Sequence, residues 1–493
     1  MKNFSYIFGA EILSKLILFS LSPILANTLT SEEYGIVELF LTVYTACSLL
    51  VSLGLDSSFS IHLNKSKSLN LVAKNFIWMR IFIALICTLA AILLLIIYQL
   101  STNNFLLYLS AGIFLSSLSQ IYYQLKEIFR FKKLFRIYAL DQVIASLLLI
   151  LIYLSISAVH ISSLTYIIAL SLSIIFSIFF LTFNLEKGQK KYKPIFIKKL
   201  INLDFLEYAN IIYKHTKDKI ENYKVYLKTG MPFYLSGISE FLFQFGDKVI
   251  ILSKLDLSNL AYLSVAYKPV VLMSLLSAAV FKTIQPKLYN QISNNKLKFY
   301  INALTIFSKL SLSIAPLIPL FCYSYIKFLY PPEYEASIYP SIILFSAATI
   351  FSYYNPRFSL VAMNEKLGIA SPYLMLSSGI INIILCLSLV EKYDIHAASI
   401  STFISSIFII IGLIYFISRY KFLENKSFHR KKIKQIDISI IFYIPLIVIL
   451  SSLIFKTLLN FDSLSIVIIY ITTVFIFSSV LLYSSFRQLK HFE

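Results

Sequence analysis

Residues 76–98 read FIWMRIFIALICTLAAILLLIIY, a run of 23 residues in which Arg80 is the only charged side chain. At a rise of about 1.5 Å per residue, a helix of this length crosses a hydrocarbon core about 30 Å thick. The run lacks the strict alternation of apolar and polar side chains that marks a strand of a membrane barrel. It therefore predicts a transmembrane helix.

Similar apolar runs follow one another along the whole chain. Of its 493 residues, 58% are hydrophobic and only 14% are charged, whereas a soluble protein carries about 25% charged residues. We therefore predict an all-α polytopic membrane protein with about fourteen transmembrane helices. The predicted spans are residues 5–26, 34–55, 76–98, 104–125, 137–158, 163–183, 229–252, 260–281, 302–326, 338–361, 369–390, 396–418, 438–456 and 463–485.

The basic residues alternate between the two sides of these spans. With the spans in this order, 36 Lys and Arg residues lie on one side of the membrane and 4 on the other. Because basic loops stay in the cytoplasm, both termini are predicted to be cytoplasmic, in the inner (plasma) membrane of a bacterium. The formal charge of +20 is explained by these loops, and no nucleic-acid partner is expected.

The chain shows no pattern typical of a metal or cofactor site. Its four cysteines lie singly in or beside apolar runs, and its six histidines lack the spacing of metal ligands. We predict no cofactor, no metal and no disulfide framework.

The longest polar segment, residues 184–228, carries eleven lysines and divides six spans from eight. It predicts a basic amphipathic helix on the inner leaflet, which either binds anionic lipid or substrate or only anchors the two halves. The predicted domains are an N-lobe (1–183), this linker (184–228), a C-lobe (229–420), and a loop with two final helices (421–493). A faint repeat, Glu33–Glu38 against Asn259–Ser264, agrees with two lobes.

Charged side chains inside the spans are the candidate functional residues. A charge at the bilayer centre costs at least about 2.5–3.5 kcal/mol, so it usually faces a partner or a wet cavity. Lys15 and Lys268 are predicted at similar depths, one in each lobe, and two ammonium groups in a shared cavity suit an anionic group such as a pyrophosphate. The candidate acids either form internal ion pairs or couple transport to an ion: Glu11, Glu240 and Asp247.

Several short motifs carry a family resemblance. They are SPILA at 22–26, LTSEEYG at 29–35, LGLDS at 53–57, GMP at 230–232 and Asp247–Lys248. With the span count and the central break, they resemble the oligosaccharide flippases of the multidrug/oligosaccharidyl-lipid/polysaccharide exporter superfamily.

This resemblance implies two six-helix lobes in a V-shaped, MATE-like arrangement around a central cavity, plus two C-terminal helices. It also implies a flippase, not an enzyme. The expected substrate is an undecaprenyl-pyrophosphate-linked repeat unit of O-antigen, capsule or a similar polysaccharide. For O-antigen, the expected pathway is lipopolysaccharide biosynthesis. The expected partners are this lipid-linked oligosaccharide, membrane lipid, H⁺ or Na⁺, and polysaccharide polymerase machinery. Cationic family cavities map onto Lys15, Lys248 and Lys268, although lysine in place of arginine weakens the case for bidentate phosphate binding.

Two alternatives remain open on the sequence. A lipid II or drug exporter of the same superfamily would share the fold and differ in cargo. An O-antigen polymerase or ligase would need a catalytic surface, whereas the outer loops here are short and contain no arginine.

Overall fold

The computed structural model describes most of the helical chain. The described residues are 2–65, 69–101, 104–132, 134–159, 161–187, 220–271, 273–274, 277, 297–352, 370–419 and 443–452. Within them, all regular secondary structure is helical, in agreement with the predicted all-α class.

The protein forms two compact units, Met1–Phe241 and Leu242–Glu493. The helices of the first unit are α1 (Lys2–Thr28), α2 (Ser31–Ser52), α3 (Leu55–Lys65), α4 (Leu69–Ser101), α5 (Asn104–Phe131), α6 (Phe135–Ser157) and α7 (Ser163–Lys187). Here α5 packs against α2, α4 and α7, and α6 packs against α1 and α7.

A long helix, α8 (Ile220–Lys254), begins in the first unit and ends in the second. It continues without a break through the predicted boundary at 228/229. The predicted four-part division of the chain stays a prediction.

The second unit continues with further helices along the chain. They are α9 (257–271), α10 (Leu297–Ile314), α11 (Ile318–Leu329), α12 (Ile338–Ser352), α13 (Ala370–Tyr393), α14 (Ile395–Arg419) and α15 (Tyr443–Ser452). Helix α14 packs against α12 and α13. Between α10 and α11, a 3-10 turn at Ala315–Leu317 carries Pro316, which has no N–H to continue the helical hydrogen bonds.

Ten helices in the described part of the chain are long and apolar enough to cross a membrane. Each coincides with a predicted span, so these ten predictions are confirmed. Predicted spans 229–252 and 260–281 fall on α8 and the partly described α9, which are not among the ten. Span 438–456 is described only at 443–452, and span 463–485 lies outside the described residues. The count of fourteen is therefore not confirmed.

The two units repeat one local turn. The Thr30 hydroxyl caps α2 by accepting from the backbone N–H of Glu33 at 3.3 Å. The Asp256 carboxylate caps α9 in the same way, accepting from the N–H of Asn259 at 2.7 Å. Side-chain oxygens at this position satisfy a helix-start N–H that has no partner in the helix. Such caps are common at helix starts, so the internal repeat seen in the sequence stays a prediction.

The first unit holds the start of α8 through a glycine contact. Leu53 and Gly54 adopt left-handed conformations, with φ of 48° and 66°, and separate α2 from α3. A Cβ on Gly54 would lie 2.1 Å from the Gly230 carbonyl oxygen of α8. One helical turn before Gly230, the Tyr226 carbonyl of α8 accepts a hydrogen bond from the Ser58 hydroxyl of α3 at 2.8 Å. The Phe76 and Tyr226 rings lie 4.4 Å apart. The backbones of the two glycines thus meet where no side chain fits.

Candidate functional site

A buried carboxylate organises the second unit. Asp247 of α8 has 0% of its surface exposed, and three donors reach it from three directions. The backbone N–H of Lys248 donates to Oδ1 at 2.8 Å. The Thr402 hydroxyl of α14 donates to Oδ2 at 3.1 Å, and the Tyr267 hydroxyl of α9 donates to the same oxygen. Because a buried charge is costly unless it is hydrogen-bonded, these donors stabilise the ionised form of Asp247.

Asn382 of α13 extends this group. Its Nδ2 donates to the Phe243 carbonyl at 3.1 Å, and its Oδ1 lies 3.5 Å from Thr402 Oγ1. We call Asp247, Tyr267, Asn382 and Thr402 the Asp247 cluster. Its carboxylate, amide and hydroxyl oxygens are the kinds of groups that bind a proton or a hard cation. Among the described residues, no three His, Cys, Asp or Glu side chains are grouped to hold a metal ion.

Lys248 places its ammonium over two aromatic rings. Its Nζ lies 5.7 Å from the Phe245 ring centroid and 5.6 Å from that of Tyr267, within the range of a cation–π interaction. The Tyr267 side chain therefore contacts both charges, with its hydroxyl on Asp247 and its ring under Lys248. The structure thus brings together two predicted residues, Asp247 and Lys248, with partners that the sequence analysis did not select.

The other predicted residues lie elsewhere in the two units. In α1, Glu11 and Lys15 form an ion pair at 3.9 Å, with the Lys15 side chain 42% exposed. Glu240 is exposed on the first-unit part of α8, and Lys268 is half-buried on α9. Their roles, and the cavity that Lys15 and Lys268 are predicted to share, stay predictions.

The first unit contains a buried carboxylate that the sequence analysis missed. Asp141 of α6 is 1% exposed, and its Oδ2 accepts from the Tyr122 hydroxyl of α5 at 2.9 Å. Lys126 of α5 lies over two rings, with Nζ 5.2 Å from the Tyr122 centroid and 4.8 Å from that of Tyr138. We call these four residues the Asp141 cluster. The available signal was a single carboxylate inside the predicted span 137–158.

The first unit also holds a buried arginine. Arg80 of α4 is 1% exposed and donates to Asp56 Oδ1 at 2.7 Å and to the Ser52 carbonyl at 3.1 Å. It therefore fixes the turn between α2 and α3 to α4. This arrangement is structural, because the guanidinium is enclosed by helices of its own unit.

The model of the family described as polysaccharide biosynthesis protein matches residues 1–288. No curated protein sequence matches this chain.

Solved structures share the fold at low sequence identity. The lipid II flippase MurJ, in an inward closed conformation, is 17% identical with a TM-score of 0.65, covering 97% of this chain and 99% of its own. An inward-facing multidrug resistance MATE family transporter of the MOP superfamily is 15% identical with a TM-score of 0.60, covering 84% and 96%. A MOP superfamily transporter from Pyrococcus furiosus is 13% identical with a TM-score of 0.51, covering 85% and 95%.

These likenesses confirm the predicted MATE-like fold class. Together with the ten apolar helices, they show a multi-pass membrane protein. These three structures are described as one flippase and two transporters, in line with the prediction that this chain is not an enzyme.

Proposed function

The chain belongs to the polysaccharide biosynthesis protein family, and from this premise we propose that it flips a lipid-linked oligosaccharide across the bacterial inner membrane. The substrate is an undecaprenyl-pyrophosphate-linked repeat unit, which moves from the cytoplasmic to the periplasmic leaflet by alternating access. The family match over residues 1–288 carries the proposal. The MurJ-like fold over 97% of the chain supports it, because that relative is described as a lipid II flippase.

The pyrophosphate would bind to lysines within the spans. Lys15 is 42% exposed although it lies within the apolar stretch Gly9–Thr28. Since a charge in hydrocarbon is costly, an exposed ammonium at this depth favours a wet surface. We assign Lys15, Lys248 and Lys268 to this anion-binding role, with the polyprenyl tail remaining in lipid.

The coupling ion would bind at the Asp247 cluster. Asp247 is buried, lies beside Lys248, and accepts from the hydroxyls of Tyr267 and Thr402. The Asn382 amide oxygen lies next to Thr402. A proton or a sodium ion at this carboxylate would change the net charge next to Lys248. This links ion binding to the affinity for an anionic headgroup. Glu240, which is exposed on α8, is the second candidate for this coupling.

Flipping of lipid II is the second candidate function, because the MurJ likeness extends over 97% of this chain. The lipid that accumulates in cells depleted of this protein distinguishes the two functions. Accumulation of lipid II would support the second candidate, and accumulation of polysaccharide repeat units would support the first.

The decisive experiment sorts lipid-linked repeat units by membrane face in cells that lack the protein. We expect single completed units to accumulate facing the cytoplasm. The wild-type protein should relieve this accumulation, and Lys15→Ala or Lys268→Ala should not. Lys392→Ala, at the exposed end of α13, is the matched control and should behave as wild type. If single units instead reach the periplasmic face unpolymerised, the flippase proposal is wrong and a polymerase or its machinery is implicated.

A further inference from the structure

The Asp141 cluster is a second buried charge pair within the spans. Asp141 lies in the candidate span Phe135–Ser157, and Lys126 lies in the candidate span Phe105–Phe131. Both side chains are buried, and they interact electrostatically with each other. Removing a carboxylate and an ammonium from water costs free energy. Apolar residues at the same two positions would avoid this desolvation cost.

The surroundings of Asp141 come from four helices. From α5, Tyr122 and Lys126 face the carboxylate, and α7 contributes the neutral Ser177. Lys126 also interacts with Glu11 of α1 and with Glu127 of its own helix. Tyr138 of α6 lies under Lys126.

The nearby acids have cationic partners of their own. Glu127 forms an ion pair with Arg130 at 2.6 Å, and Glu11 forms one with Lys15 at 3.9 Å. Asp141 is thus the carboxylate that balances Lys126 within this cluster.

The two units use the same three residue types. In each unit a tyrosine hydroxyl donates to a buried aspartate, and the ring of the same tyrosine lies under a lysine ammonium. The first unit uses Asp141, Tyr122 and Lys126, and the second uses Asp247, Tyr267 and Lys248. The helices that supply them differ, so the shared chemistry is not a by-product of the internal repeat.

We infer that Asp141 is a second proton-binding carboxylate of the transport cycle, with Tyr122 and Lys126 as its positioning residues. This inference rests on the proposed flippase function and adds to it a proton site in the first unit. When Asp141 binds a proton, an O–H bond forms at the carboxylate and the charge of the Asp141–Lys126 pair changes from zero to +1. The Lys126 ammonium then loses the carboxylate of its own cluster, and its remaining acidic neighbours, Glu11 and Glu127, are paired with Lys15 and Arg130. This favours a conformation that brings water or an anionic group to Lys126.

The test uses the purified full-length protein in proteoliposomes, with a fluorescent undecaprenyl-pyrophosphate disaccharide as the probe. Its flipping rate is measured from mildly acidic to mildly alkaline pH for the wild type, Asp141→Asn and Lys126→Met. We expect the pH-dependent part of the rate to fall at least about fivefold in Asp141→Asn, the lower end of typical coupling between sites. Glu391→Gln, an acid-to-amide change at a side chain that is 81% exposed, should keep the wild-type profile.

A double variant separates a proton site from a structural ion pair. Asp141→Asn combined with Lys126→Met removes both charges, so it should fold even where a single variant does not. For a proton site, we expect the double variant to fold and to lack the wild-type pH dependence. Recovery of both the wild-type rate and its pH profile would show that the pair is only structural, and would overturn the inference.

An infrared measurement tests proton binding without transport. Acidifying the purified wild-type protein should produce a protonated-carboxyl C=O band that is missing in Asp141→Asn and present in Glu391→Gln. If the wild type does not flip the probe but shows this band, the proposed function fails and the proton site stands. If no band depends on Asp141, the proton site is refuted whether or not the protein flips the probe.

Discussion

The Tyr267 hydroxyl of α9 donates to the carboxylate of Asp247 on α8, and this bond joins the two helices on either side of the turn capped by Asp256. Thr402 of α14 reaches the same oxygen at 3.1 Å. Three helices of the second unit therefore meet at one carboxylate atom.

Tyr267→Phe should destabilise the protein by about 1–2 kcal/mol, because it removes one of the donors to a buried carboxylate. The measurement is thermal unfolding of the detergent-purified protein. Tyr393→Phe removes a hydroxyl at the exposed end of α13 and should leave the unfolding temperature unchanged. Equal stability of the two variants would show that the Tyr267 bond adds nothing.

Lys248→Met should lower the rate of substrate flipping at least about tenfold, because it removes a charge that contributes about 1.4 kcal/mol or more to binding an anion. Lys248→Arg keeps the charge and should retain more of the rate than Lys248→Met. Flipping of a fluorescent lipid-linked disaccharide in proteoliposomes measures both. A Met variant with the wild-type rate would remove Lys248 from the proposed anion site.

Gly54→Ala should destabilise the protein by at least about 2 kcal/mol. The added Cβ would lie 2.1 Å from the Gly230 carbonyl oxygen, at a φ of +66° that L side chains rarely adopt. Gly9→Ala is the control, because nothing lies within 4 Å of the Cβ it would add. The yield of folded protein and its unfolding temperature compare the two. If both variants match the wild type, α8 does not depend on this close approach.

Asp56→Asn should cost about 1–3 kcal/mol, because it removes the charged partner of the buried Arg80 guanidinium. The matched comparison is Glu391→Gln, whose partner Lys254 is exposed at 3.6 Å, and surface ion pairs contribute about 0–1 kcal/mol. The free energy of unfolding, measured in denaturant, should be lower for Asp56→Asn than for Glu391→Gln. The opposite ranking would show that Arg80 is held mainly by the Ser52 carbonyl.

Much of the fold follows from hydropathy alone, since each of the ten candidate spans coincides with a predicted one. Helix ends were harder to predict, because they depend on tertiary partners. Predicted span 104–125 ends one residue before Lys126, whereas α5 continues to Phe131. The Tyr122 and Tyr138 rings and the Asp141 carboxylate accommodate its ammonium there, and none of these contacts can be read from a hydrophobic run.

In the candidate site, the sequence identifies the charged residues but not their uncharged partners. A charge inside an apolar segment is visible in a sequence, and Asp247 and Lys248 were selected for that reason. Asn382 and Thr402 are separated from Asp247 by more than a hundred positions. An uncharged asparagine or threonine in a transmembrane helix costs less than a charge, so it does not stand out in the sequence. Packing of α8 against α13 and α14 brings them together, so only coordinates identify them.

The contact between Gly54 and Gly230 sets which face of α8 lies against the first-unit turn between α2 and α3. Gly230 and Tyr226 lie four residues apart, about one turn of helix, and the Tyr226 carbonyl accepts from Ser58 at 2.8 Å. Both contacts therefore fall on the same side of α8. One residue inserted between Tyr226 and Gly230 would rotate one contact by about 100° away from the other, so this short segment cannot change its length by one residue and keep both.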